Sequence, residues 1–270
     1  MRKRPGRGQR HPVDVLRTKL WFHDLRIASG ATSTYQMDAV IEAPLDLPSP
    51  PADRKNKWRS YRDGRHTPSD GLVSAVDTRF PKSRTLLNHS MWQALRLDRP
   101  VRAGLDGVPH DLLARIHTTA GQPALRIDGW NWRLRRALER EASLNGLACL
   151  VVLLRAAADA GHSFSAFKFS LSLCRTLLVA SKWLEDRHIG ADLATYIETS
   201  ILPLAAHDGL RHGFGAGGFV EASRLLRLHT WSIEGDYNAR LTTKQRNEIS
   251  LDLLWNNDYL NWSKVLVTGP

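Results

Sequence analysis

Apolar side chains recur at intervals of three and four along much of this chain, and that spacing predicts helices. Val13 to Ala28 sets Leu16, Leu20, Trp21, Leu25 and Ile27 along one helix that Gly30 closes, and Thr34 to Ile41 gives a shorter one. Ala43 to Asp53, with Pro44, Pro48, Pro50 and Pro51, reads as either an ordered crossing or a flexible insertion. Trp58 and Tyr61, three apart, share one face of the next helix, and Gly64 ends it. Thr67-Pro68-Ser69-Asp70 reads as the next start, with threonine as cap, proline at the first helical position and an acid at the third. Leu72, Val73, Val76 and Phe80 follow at helical spacing until Pro81 stops the run. Ser83 to Leu97, with Leu86, Leu87, Trp92 and Leu95 inward, reads as one more helix that Pro100 closes.

From Val101 to Asp128 the pattern loosens around one helix, His110 to Thr118, and this stretch is expected to be a connection. Beyond Gly129, long helical windows run over 132–160, 163–187, 191–206, 219–228 and 243–262, and no strand-like alternation competes. Thr242-Thr243-Lys244-Gln245 is a capping box, and Ile249, Leu253, Asn256 and Leu260 mark a stripe on the last helix. The prediction is an all-α protein whose 131–264 region is an irregular helical bundle. The expected divisions are a disordered arm over 1–12, a helical domain over 13–100, a connecting region over 101–130 and the bundle.

Charge changes the picture of the first domain. Residues 1–100 carry 19 Lys/Arg against 10 Asp/Glu, whereas the remaining 170 carry 19 against 17, so the excess that gives the chain its net +11 lies at one end. Such a field suits a polyanionic partner. The arm MRKRPGRGQR, with no acid and no apolar anchor, could add phosphate contacts or serve only as a solubilising end. Cys149 and Cys174 each sit in an apolar helical run without a second cysteine or a histidine at ligand spacing, which predicts core residues rather than a zinc site or disulfide. The longest apolar run, Leu147 to Leu154, is far short of a membrane span, and no apolar segment follows the basic start. A soluble, cytoplasmic protein is expected.

The stretch from Arg54 to Phe80 is similar to the second half of a lambda-repressor-type (Cro/C1, XRE) helix-turn-helix domain. The residues that carry the resemblance are Trp58 and Tyr61 as inward anchors of a recognition helix, Gly64 as its terminator, and Pro68, Ser69, Leu72 and Val76 in the helix behind it. The resemblance covers about residues 54–80, and the long insertion over 43–53 departs from the family's tight turn. It implies that residues 13–100 form a helix-turn-helix-like domain in which Arg54, Lys55, Asn56, Arg59 and Ser60 face double-stranded DNA. Arg62 and Arg65, near the helix end, suit phosphates. Arginine, lysine and asparagine are the residue types that read guanine and adenine edges in the major groove. RNA or an acidic protein surface would use the same charge.

Other candidate chemistry has a plainer reading. His207 to Phe219 is glycine-rich but lacks the Lys-Ser/Thr end of a phosphate loop, and His207, Asp208, His212 and His229 fit no helix-face ligand pair. Glu185, Asp186, Arg187 and His188 could serve acid–base chemistry, or simply form a solvated last turn before Gly190. The sequence therefore assigns no catalytic residue, cofactor or metal. The expectation is a DNA-binding regulator of transcription whose residues 131–264 serve as a dimerisation surface, effector domain or protein-docking surface. The alternative is a non-enzymatic interaction component of a mobile-element or defence system.

Overall fold

The computed structural model describes residues 10–42, 51–117, 124–215, 217–236, 241–256 and 265–266. Helices make up nearly all of its regular structure, so the fold is all-α. The chain divides into two compact units, Met1–Asn88 with Arg187–Ile189, and His89–Asp186 with Gly190–Pro270.

In the first unit, α1 (Pro12–Ser29) starts with Pro12 at a position that needs no amide proton. His11 caps it by accepting from the Val13 amide at 3.2 Å, and Gly30 closes it in the left-handed conformation at φ 69°. α2 (Thr34–Met37) is capped by Ser33 and runs into a π-helical turn, Asp38–Glu42. α3 (Pro51–Arg62) packs against α1 and α2. α4 (Asp70–Arg79) and α5 (Ser83–Leu87) complete the unit. Their apolar faces meet in one cluster that includes Trp21, Phe22, Met37, Ile41, Trp58 and Val76.

Three local expectations for this unit are corrected. α4 begins two residues later than expected: Ser69, not Thr67, is the cap and accepts from the Leu72 amide at 3.4 Å, while Pro68 is buried ahead of the helix. The expected disordered arm over 1–12 does not hold for Arg10, which donates to Thr18 Oγ1 at 2.9 Å and to the Gly64 carbonyl and Thr67 Oγ1, nor for His11 and Pro12 at the start of α1. Residues 1–9, like 43–50 of the proline-rich segment, lie outside the described residues. Ile27, expected inward, is 46% exposed.

The division after Asn88 cuts the expected helix over 83–97 in two. Leu87 joins the first unit's cluster. α6 (Ser90–Ala94), capped by His89 through the Met91 amide at 3.1 Å, belongs to the second unit. Of the stretch expected to be a connection, residues 101–116 are packed structure there as well, and 118–123 lie outside the described residues. The 3₁₀ turn Val101–Leu105 lies on α6, and a Cβ on Gly104 would come 2.6 Å from Ala94 Cβ and 2.7 Å from Val152 Cγ2. α7 (His110–Ile116) follows it.

The centre of the second unit is formed by α9 (Leu144–Asp159) and α10 (Ser163–Val179). α9 is buried on nearly every side, which explains its apolar content. Arg155 of α9 spends its guanidinium on the carbonyls of Ala94, Arg96 and Arg99 at 2.8, 3.1 and 2.8 Å, carbonyls of α6 and the chain after it. Cys149 and Cys174 are buried free thiols as expected, and burial pushes Cys149 up to about 12. α8 (Trp132–Glu141) is separated from α9 at Ala142, which takes φ 39°, so the expected helix over 132–160 is two helices.

α11 (Ser181–Asp186) and α12 (Gly190–Tyr196) are short, and α12 passes into a π turn over Ile197–Ile201. α13 (Gly218–Asp236) extends beyond its expected end. α14 (Thr243–Asn256) opens with the expected capping box: the Gln245 amide donates to Thr242 Oγ1 at 3.3 Å, and the Thr242 amide to Gln245 Oε1 at 2.8 Å. Its buried residues are Ser250, Leu251 and Leu254, so the expected stripe through Ile249 and Leu253 is out of phase with the core, and Leu260 lies outside the described residues. Trp255 explains much of the docking. Its indole N–H donates to the fully buried Glu139, and Arg175 lies 4.4 Å over its ring. A two-residue antiparallel ribbon pairs β1 (Leu210–Arg211) with β2 (Val265–Leu266).

Candidate nucleic-acid interface

The first unit presents α3 on an aromatic foundation. Trp58 is fully buried and Tyr61 is 6% exposed. The Trp58 ring stacks on Trp21 at 5.9 Å and 10°, lies 6.2 Å from Phe22, and meets the edge of Tyr61 at 5.6 Å. Leu72 and Val76 belong to the same cluster, with Phe80 packed against it, so the inward role expected of the two α3 aromatics holds. The main ring contacts come from α1, which the spacing within 54–80 could not reveal.

The C-terminus of α3 is fixed as firmly as its face. The Arg65 amide donates to the Ser60 carbonyl at 2.7 Å and the Gly64 amide to the Tyr61 carbonyl at 3.0 Å, the paired bonds of a Schellman cap. Gly64 sits at φ 67°, and a Cβ there would lie 2.5 Å from Val15 Cγ1 and 3.0 Å from the Val15 carbonyl oxygen. Glycine is therefore required twice over, for backbone conformation and for the close approach of α1.

The sequence-selected residues fall on or just after this helix. For Arg54, Lys55 and Asn56 the described structure extends to the helical backbone only. Arg59 is exposed and Ser60 half-buried. Arg62 and Arg65 share one carboxylate: Arg62 Nε is 2.8 Å from Asp63 Oδ1, and Arg65 Nη2 is 3.2 Å from Asp63 Oδ2. The Arg62 hydrogen bond is the main cause that holds the Asp63 carboxyl below its usual value. Part of the positive charge counted at the helix end is thus neutralised locally.

Sequence reasoning missed a basic cleft beside that end. It has a volume of about 700 Å³, and its walls include Lys19, His23 and Arg26 of α1, Arg62 of α3 and His188. Lys19, His23 and Arg26 are spaced by four and three, so one α1 face carries all three. That signal was present in the sequence. His188 comes from a remote segment at φ 52°; its ring lies 4.6 Å from that of His23, and its Nε2 is 3.3 Å from Arg26 Nη2. His23 is 8% exposed, and neither its Nδ1 nor Arg26 Nε has a hydrogen-bond partner. Burial, then the nearby positive charge of His188, Arg26, Lys19 and Arg62, lowers His23 to about 4.

The remaining sequence candidates are taken up structurally. His207-Asp208-Gly209-Leu210 is a two-residue hairpin turn with φ 49° and 72° at its centre. His212 is buried with Nδ1 at 2.8 Å from Ser170 Oγ, while His229 lies exposed on α13. Glu185 accepts from Ser223 and Arg227, and Arg187 pairs with Asp24 at 2.8 Å. Among the described residues, no group of three or more His, Cys, Asp or Glu is arranged to hold a metal ion, and no helix is long and apolar enough to cross a membrane. Comparison with protein-family models, curated proteins and solved structures finds no match for this chain.

Proposed function

We propose that the first unit binds double-stranded DNA through α3 and that the chain regulates transcription in the cytoplasm. Within the reading, residues 131–264 provide a dimerisation surface, effector domain or protein-docking surface. The observation that carries it is the division of α3 into two sides. Trp58 and Tyr61 are locked into the core while Arg59 stays exposed, so the helix is rigidly held with an arginine available to a groove. The one-ended charge excess and Arg65, 69% exposed at its side chain, add the sequence-independent attraction such a module needs. The lambda-repressor-type resemblance is part of the proposal and rests on the same residues.

A second reading, a non-enzymatic interaction component of a mobile-element or defence system, draws on the second unit's exposed aromatics. Trp130 and Trp231 are each 70% exposed there. A salt titration of binding to a random-sequence duplex separates the two. The first reading predicts that log affinity falls linearly with log salt, with a slope of about −0.9 for each phosphate neutralised. Failure to bind the duplex at low salt would leave the interaction reading.

A further inference from the structure

We infer that the cleft walled by Lys19, Arg26 and Arg62 is a phosphate-binding site, distinct from the groove-reading side of α3. Three permanent cations and two imidazoles converge on it. Among the described residues, the single acid in its walls is Asp63, which already serves both Arg62 and Arg65. A dianion that enters meets all three cations at once, and the attraction of each adds to that of the others.

The polar atoms also fit a tetrahedral oxyanion. Ser33, ahead of α2, and Thr34, its first residue, bring hydroxyls to the same cleft, while the Thr32 hydroxyl donates to Gln36. Ser33 Oγ accepts from the Gln36 amide at 3.2 Å, which leaves its own proton for a ligand oxygen. Thr32 is held in place by two bonds to Gln36 Oε1, 2.6 Å from its amide and 2.7 Å from its hydroxyl. His23, more than nine-tenths buried in the wall with an unpartnered ring nitrogen, is a polar group the protein itself does not satisfy. Arg26 has donors to offer: its Nη2 lies 3.3 Å from an imidazole nitrogen of His188, and its Nε has no hydrogen-bond partner among the described residues.

Two sources of phosphate fit this chemistry: a free phosphate group, alone or on a small molecule, and a backbone phosphate of bound DNA. Only the second rests on the DNA-binding reading. The test uses the full chain, first in calorimetric titration with inorganic phosphate at pH 7 against sodium chloride of equal ionic strength. Lys19→Gln, Arg26→Gln and a control cation outside the cleft, Arg84→Gln, are compared after their melting temperatures in phosphate-free buffer show that they are folded. Lys19→Gln keeps the test open if Arg26→Gln does not fold.

A free-phosphate site predicts a saturable heat that weakens by about tenfold or more in the cleft variants and persists in Arg84→Gln. A DNA-backbone site predicts little heat with inorganic phosphate, but a duplex-binding salt slope reduced by about one in each cleft variant. Phosphate heat without any duplex binding keeps the cleft and removes the DNA reading. Duplex binding that is lost in Arg59→Gln but indifferent to both cleft variants, with no phosphate heat, keeps the DNA reading and overturns the cleft. Phosphate heat that is equal in all variants also overturns it.

Discussion

Replacing Gly64 by alanine tests how α3 is held on α1. At φ 67° a residue with a Cβ loses about 1–2 kcal/mol to left-handed strain. The added methyl would also sit 2.5 Å from Val15 Cγ1 and 3.0 Å from the Val15 carbonyl oxygen. The valine side chain can turn aside. The carbonyl belongs to the α1 backbone and yields only if the helix moves, so crowding adds about 1–3 kcal/mol, as for an overpacked core. Together the loss should be roughly 2–5 kcal/mol, a large fraction of the stability of an ordinary domain. Urea unfolding of the full chain, followed by far-ultraviolet circular dichroism, measures it. On a Val15→Ala background the same substitution should cost nearly as much, since the dihedral strain and the collision with the backbone carbonyl of residue 15 both remain. A loss below about 0.5 kcal/mol in the single variant, no larger than an ordinary surface change, would refute the left-handed cap packed on α1.

Three further predictions concern the same unit. Trp58→Ala should cost about 3–5 kcal/mol in thermal or chemical unfolding, as for a buried aromatic, and a loss under about 1 kcal/mol would place the ring outside the core. Arg10→Ala should cost about 1–3 kcal/mol, chiefly by stranding the carbonyl of the buried Gly64, since Thr18 Oγ1 keeps its bond to the Asp14 carbonyl and the exposed Thr67 hydroxyl can turn to water; equal melting temperatures for Arg10→Ala and the parent chain would show that this clamp is absent. His23 has a folded value of about 4 against an ordinary 6.5, so the unfolded chain takes up its proton first. The resulting stability is complete above pH 6.5 and is lost as pH falls from there through 4, on the order of 3 kcal/mol across that window. His188, Arg26, Lys19 and Arg62 all face His23 and oppose its protonation. The difference in unfolding free energy between the parent and His23→Gln should therefore shrink with falling pH, and a difference that does not change between pH 7 and 4 would contradict the assignment.

Helix ends with a chemical marker were legible in the sequence, because a glycine or a capping pair acts locally. Gly30, Gly64 and the Thr242–Gln245 box all work where they were read. Errors arose where two local signals competed or where tertiary packing decided. Thr67 and Ser69 can both cap, but Arg10 draws on the Thr67 hydroxyl and Pro68 is buried, so the helix starts at the serine's side. Leu87 and Trp92 lie at compatible helical spacing, yet they are buried in different units, and periodicity does not record which core a residue enters. On α14 the buried phase includes Ser250, whose hydroxyl lies 3.2 Å from Thr230 Oγ1, so a stripe read from apolar residues alone was misplaced. The basic cleft was half legible. Lys19, His23 and Arg26 share one face of α1, whereas His188 arrives from a remote segment that no local pattern connects to it. Asp63 stood next to Arg62 in the sequence, but its hold on both Arg62 and Arg65 appears only in the folded loop.

The most direct test of DNA recognition by α3 compares Asn56→Ala, Arg59→Ala and Arg65→Ala on a selected duplex and on random duplex, each at two salt concentrations. Base contacts set specificity and phosphate contacts set affinity. The account predicts that Asn56→Ala and Arg59→Ala each lose about 1–3 kcal/mol on the selected duplex and less on random DNA, which relaxes sequence preference. Arg65→Ala should weaken both duplexes about equally and lower the salt slope by about one. Uniform loss in all three variants, or parent protein that selects no sequence at all, would contradict a reading helix and leave α3 as a contact without sequence preference.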